Sequence, residues 1–345
     1  MPQLFPPAQN ARPNPTSGQP IPDAVQPAGT SGRAALVILV GLVICVFAAR
    51  RVHVFSAISS RARAAARAKS SPVSKAIPRL IFPDAMTDGD IARIRSLPAQ
   101  AQAEELLGRS LAHDERARQM FDSNVREWTG HLQMTPAMRQ LETRSRFSSD
   151  LRVRESNAAV NLALAGWARD SHSADVLIAR ARSEHEFRSY AVYYLGMLAG
   201  CSVDYDRIHT VLLDYAQHDP DPIVRQWAVE GLRFLEKDEV LDELFQSFTH
   251  DPALAVRDRA GCNLADCGNF TRAQRLRLVP QLIALAADPG TAAQMRYWTF
   301  LSLTEITGET LPADAAAWSN WQRLHGAEKL AQFQSQPWWL IRGDE

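Results

Sequence analysis

The chain is 345 residues long and 46% hydrophobic, enough for a sizeable core in one large domain or two ordinary ones. Its formal net charge is zero, yet residues 1–135 carry 16 basic and 10 acidic side chains while residues 136–345 carry 22 and 28. The acidic C-terminal part makes a poor polyanion binder, so no nucleic-acid partner is expected.

Residues 1–33 hold eight prolines and three glycines, with only Arg12, Asp23 and Arg33 charged. Such a segment has too little apolar surface to offset its ordering entropy, and a disordered tail is expected. Ala34 to Ala49 then runs 16 residues without a charge, between Arg33 and Arg50-Arg51. As a helix it would be about 24 Å long, short of the roughly 30 Å hydrocarbon core. Snorkelling arginines and the apolar residues up to Phe55 extend it, so residues 34–55 are predicted to be one transmembrane helix. A cleaved signal peptide is the competing reading, opposed by the absence of a basic leader. Eight basic residues from Arg50 to Arg79 precede Asp84, which places the N-terminus outside and the C-terminal part in the cytoplasm, with a periplasmic domain as the alternative. Residues 61–69 (RARAAARAK) are a candidate contact for anionic lipid, or a solvated helix that only sets topology. Residues 56–99 are read as a basic juxtamembrane segment and linker, mostly irregular because of prolines at 72, 78, 83 and 98.

Residues 100–133 read as a helical N-terminal cap, with helices over Gln100 to Leu111 and His113 to Leu132. From 134 to 307 the pattern repeats. Apolar or small residues at i, i+3, i+4 and i+7 mark first helices at Ala174/Leu177/Ile178/Ala181, Ile208/Val211/Leu212/Tyr215, Leu241/Leu244/Phe245/Phe248 and Val279/Leu282/Ile283/Ala286. Turns such as His218-Asp219-Pro220 and His250-Asp251-Pro252 close them, and Asp221 stands ready to cap the second helix. Second helices share an apolar residue, Arg, a small residue three positions on, and Leu four further: Phe187-Arg188…Ala191…Leu195, Val224-Arg225…Ala228…Leu232, Val256-Arg257…Ala260…Leu264, and more loosely Met295-Arg296…Thr299…Leu303. With Val153-Arg154 upstream, the Arg spacings are 34, 37, 32 and 39 residues, the period of a helical solenoid. Small residues at Ala191, Ala228 and Ala260 would let helices approach closely.

This signature resembles the HEAT and HEAT-like (phycobilisome-lyase-type) repeat over roughly residues 136–307. The resemblance implies an all-α fold, an α-solenoid of about five helix-turn-helix repeats, whose second helices line a concave wall. It also implies that Arg154, Arg188, Arg225, Arg257 and Arg296 form an inter-repeat ladder with turn acids. Two copies depart from the template. Asn157 and Asn161 stand where Ala and Leu belong, and a shift of register to Ala158 and Leu162 is expected, because an unsatisfied buried amide costs about 1–3 kcal/mol. Thr299 replaces Ala beside Tyr297 and Trp298, so that end is expected to pack differently.

Residues 308–345 read as a C-terminal helical cap and tail. Gly308 stops a helix, Leu311-Pro312-Ala313-Asp314 restarts one, and Trp318, Trp321 and Leu324 come next, which resembles the closing element of bacterial HEAT-like arrays. Trp318 and Trp321 are read as cap core. Pro337-Trp338-Trp339-Leu340 is either folded back or exposed.

No phosphate loop, HExxH, GxSxG or spaced Ser/His/Asp constellation is found, so no catalytic, cofactor-binding or metal residues are assigned, and no cofactor. Cys45, Cys201, Cys262 and Cys267 read as small buried hydrophobes; Cys262 and Cys267, five apart on an expected α-helix, would point roughly 140° apart and could not bond. His218 and His250, at equivalent positions, read as structural. The expected function is a membrane-tethered scaffold that grips a protein or peptide on its concave face through Tyr194, Gln226, Arg233, Arg259, Asn263 and Ser302. The alternatives are a HEAT-like enzyme of lyase or DNA-glycosylase type, for which Trp227 with Glu230 is the only pair on offer, and a periplasm-facing envelope protein.

Overall fold

A computed structural model of the protein describes residues 85–341. The expected tail at 1–33, the apolar run 34–55 and the basic lipid-contact candidate at 61–69 lie outside the described residues. Among the described residues there are fifteen α-helices and no strand beyond one isolated bridge.

The linker reading fails at its C-terminal end, where α1 (Asp88–Arg95) forms between Pro83 and Pro98. Its N-terminus carries a capping box, Thr87 and Asp90 each bonding the other's backbone N–H, and Arg93 and Arg95 complement the dipole in the last turn. Local capping thus outweighs the flanking prolines. α1 packs on α2 (Ala99–Ser110), which packs on α3 (Glu115–Trp128), capped by Asp114. α4 (Pro136–Ser145) is capped by Thr135 and α5 (Leu151–Ala165) by Asp150, and α5 ends at Gly166 with φ 80°. Ile94, Leu106, Phe121, Trp128 and Val160 make one core among these five helices.

Helix pairs continue the chain. α6 (Ser171–Ser183) precedes α7 (Arg188–Gly200), α8 (Tyr205–His218) precedes α9 (Pro222–Leu232), and α10 (Asp238–His250) precedes α11 (Leu254–Cys262). After the short α12 (Arg272–Leu276) come α13 (Val279–Ala287), α14 (Ala293–Thr307) and α15 (Ala315–Ser335). The second helices stack in sequence, α5 on α7, α7 on α9, α9 on α11 and α11 on α14. Ala191, Ala228 and Ala260 are all fully buried in that stack. The tightest approach is elsewhere: a Cβ on Gly196 would collide with the Gly231 carbonyl oxygen, and one on Gly231 would meet the Val192 oxygen at 2.6 Å. Two glycines on α7 and α9 therefore set their separation.

All five arginines donate to a backbone carbonyl just ahead of their own helix, and they differ in what else they reach. Arg188 Nη1 reaches Asp219 Oδ2 of the following turn at 2.8 Å, and Arg225 makes a two-pronged pair with Asp251 at 2.8 and 3.0 Å. For Arg257 and Arg296 the acceptors in their own turns are the carbonyls of Asp251, Asp288 and Thr291. Arg154 donates to Ser148 O at 2.7 Å and also to Cys267 O, Gly268 O and Asp266 O, more than a hundred residues away.

Three expectations need correction. Asn157 and Asn161 are both buried along with Ala158 and Leu162, because α5 is covered on nearly every side. The amides are satisfied locally: Asn157 Nδ2 donates to Glu142 O and Ser145 Oγ, and Asn161 Nδ2 to Asn157 O. The single-pass membrane localisation, with a cytoplasmic or periplasmic repeat domain, is not supported, since no helix among the described residues is long and apolar enough to cross a membrane. Finally, Cys262 and Cys267 are joined in a disulfide with their Cα atoms 5.5 Å apart. The 140° argument assumed an α-helix throughout, whereas Asn263–Cys267 is wound as a π-helix, whose wider turn brings positions i and i+5 together.

Candidate functional site

α4, the turn after α5, α7, α9 and α11 bring together a polar and aromatic cluster. On α4, Arg146 Nε donates to Glu142 Oε1 at 2.7 Å, one helical turn apart. On α9, Glu230 lies 3.0 Å from Arg233 Nε and 3.3 Å from Arg259 Nη1 of α11. Burial pushes the Glu230 carboxyl up, but Arg259, Arg233 and Arg146 together outweigh it and hold the group below the ordinary carboxylate range. Arg146 is in turn held more firmly protonated: burial opposes its charge, and Tyr193, Glu142 and Glu230 overcome that opposition.

Aromatic rings run alongside these charges. Trp167 Nε1 donates to the Tyr190 hydroxyl at 3.0 Å, Phe187 and Tyr190 rings are 4.7 Å apart, and Tyr190 and Tyr194 rings 4.5 Å. Tyr193 then links Tyr194 at 5.3 Å to Trp227 of α9 at 5.2 Å, both edge-on. Trp167, Phe187, Tyr190, Tyr194 and Trp227 are half-buried against the main core, so each keeps part of its face in solvent. Desolvation raises the Tyr190 and Tyr194 hydroxyls above their usual value, so both remain neutral.

The six expected contact residues separate on burial. Tyr194, Gln226 and Arg259 are half-buried beside the aromatic row. Arg233, Asn263 and Ser302 are buried, at 2, 0 and 4% exposure, and face the protein instead. Arg233 Nη1 donates to Cys267 O at 2.8 Å, and Asn263 Nδ2 to Val229 O at 3.0 Å. Glu142 and Arg146 were missed because the repeat template starts from the later copies and says nothing of α4; the three tyrosines at 190, 193 and 194 were the visible signal. His218 and His250 pair with neighbours on their own helix ends, Asp214 and Thr249.

A second concavity, about 160 Å³, opens between α3, α5 and the end of α7 and is lined by Arg118, Glu155, Ser156, Arg169 and Ser202. Burial and the Glu155 charge push the Glu236 carboxyl up to about 8. One potential cation site gathers: Cys262, Asp266 and Cys267 offer ligand atoms within 4.8 Å of one another. Its two sulfurs are occupied with each other in the disulfide.

A family profile described as HEAT repeats matches residues 174–265, which span α6 to the π-helical turn. No curated protein and no solved structure matches the chain. The profile match and the paired helices support a HEAT-like repeat protein, and they carry the likeness to HEAT repeats rather than to the lyase type in particular.

Proposed function

We propose that this HEAT-like repeat protein is an interaction scaffold, an α-solenoid whose second helices present a concave wall to a protein or peptide. The observation that carries the reading is the half-exposed aromatic row from Trp167 through Tyr190 and Tyr194 to Trp227, flanked by Arg146, Gln226 and Arg259. Rigid, amphipathic Tyr and Trp with Arg at the margin is the composition of binding hot spots, because these side chains bury much area while losing few rotatable bonds. The row is held by the repeat core behind it, so a partner would meet a preorganised surface.

A catalytic reading draws less support. Glu230, the one carboxylate beside an inner-face tryptophan, is paired with Arg233 and Arg259 and held ionised below the ordinary range, which makes it a weak base. Arg233 and Asn263, being buried, are structural members and no probes of a surface. The test uses Gln226→Ala. The variant is expected to keep its unfolding midpoint and to lose co-purifying protein; retention of every partner at wild-type yield would overturn the proposal.

A further inference from the structure

The turn that ends the α11 repeat is held in an unusual way. Three arginines, each 2% exposed, point their guanidinium groups at its backbone. Arg154 of α5 donates to Asp266 O, Cys267 O and Gly268 O at 3.0, 3.0 and 3.1 Å. Arg233 of α9 adds a bond to Cys267 O at 2.8 Å, and Arg275 bonds Ala265 O and Phe270 O. The carbonyls are available because Asn263–Cys267 is π-wound and Gly268 leaves the helix. One turn thus collects hydrogen bonds from α5, α9 and the adjoining α12.

The Cys262–Cys267 disulfide spans the same five residues. An α-helical turn would hold residues five apart on different faces, so the bond requires the π winding. Both cysteines are half-buried rather than sealed in, which leaves the sulfurs within reach of an attacking thiolate. Asp266 Oδ1 lies 3.3 Å from Cys267 Sγ, placed to accept a hydrogen bond from that sulfur once it carries a proton.

We propose that Cys262–Cys267 is a reversible thiol–disulfide site, opened by a dithiol, whose redox state decides whether the 263–268 turn stays clamped to Arg154 of α5. In the reaction one thiolate of the dithiol attacks a sulfur of the pair, breaking the S–S bond and forming a mixed disulfide. The second thiolate then displaces the chain's cysteine. Two electrons and two protons pass to Cys262 and Cys267, and the dithiol leaves as a disulfide. With the bond gone the turn is free to rewind towards α-helical register. That rotates the carbonyls of 266–268 away from Arg154 and leaves a buried guanidinium without those acceptors.

The test uses the full-length chain, oxidised and after treatment with dithiothreitol under native conditions, read by thiol alkylation with mass spectrometry and by amide hydrogen exchange. In protein purified without reductant the 262–267 pair is expected to resist alkylation, and dithiol is expected to make both cysteines reactive. Reduction should speed exchange roughly tenfold or more at 263–270 and, in step, at the distant 148–156 segment. Cys262→Ser with Cys267→Ser should exchange like the reduced protein. In Arg154→Lys the 148–156 segment should be fast in both redox states. Alkylation of both cysteines in protein never exposed to reductant would overturn the proposal, as would exchange at 148–156 that is the same before and after reduction of wild type. The wild-type comparison stands whether or not a variant folds.

Discussion

Asp251 shows how much a single side chain is asked to do in this protein. It accepts two bonds from Arg225 and a third from the backbone N–H of Ala253, so it ties one repeat to the next and fixes the turn ahead of α11 with the same carboxylate. Both partners are almost fully buried, and removing one leaves the other charge uncompensated. Asp251→Ala is therefore expected to cost about 3–5 kcal/mol in denaturant unfolding, several times the loss from an exposed pair such as Arg180 and Glu184. Glu236 makes the opposite case, a carboxyl that resists its charge. Its pKa is pushed up to about 8 by burial and by Glu155, while in the unfolded chain it returns to about 4.3. Folding must then take up a proton between those values, so the contribution is complete below the lower one and is lost as pH rises through the upper one. Glu236→Gln is expected to raise stability at about pH 8.5, by on the order of 1 kcal/mol after solvent screening, and to change nothing near pH 4. Urea unfolding at the two pH values checks the sign.

Between helices, the repeat template accounts for much of the packing but not for its closest point. Ala191, Ala228 and Ala260 lie in the core as the Arg-x-x-Ala spacing implies, yet Gly196 and Gly231 bring α7 and α9 together. Gly196→Ala would drive a methyl into the backbone of α9, and a loss of about 3 kcal/mol or more is expected in the urea midpoint. Ala191→Gly, which only removes a methyl and adds backbone freedom, should cost nearer 1 kcal/mol. First and second helices, their Pro-bearing turns and the Asp221 cap were readable because each depends on spacing a few residues long. The Cys262–Cys267 bond was not, since a π-helical turn leaves no sign in a hydrophobic pattern of period 3.6. Nor were the satisfied amides of Asn157 and Asn161, whose partners at Glu142 and Ser145 belong to a different helix. Of the surface residues, Arg233 and Arg259 looked alike in sequence, and only the position of the 263–268 turn buries the first and leaves the second half-open.

Across the whole described unit, contacts distant in sequence converge on the start of α5. The C-terminal residues return there: Leu151 N donates to Trp339 O at 2.9 Å and Ile341 N to Ser149 O at 2.7 Å, around the bridge between Asp150 and Leu340. Trp339 lies under the Arg152 guanidinium, 4.0 Å from its ring centroid, while Trp338 is 54% exposed. The two tryptophans therefore differ in kind. Trp339→Ala is expected to cost about 2–3 kcal/mol through lost burial and the lost cation–π contact, and Trp338→Ala less than about 0.5 kcal/mol, in thermal or urea unfolding. The same region is tied to the far end of the repeats by Arg154, which reaches the carbonyls of 266–268. The aromatic row, where the copies of the repeat differ from one another, is the proposed binding surface. The most direct test is a photo-crosslinking residue at Gln226, beside Trp227, against one at the exposed Asp242 on α10. The account predicts that partner proteins are captured from Gln226 and not from Asp242. Capture from Asp242 alone, or equal capture from both, would contradict it.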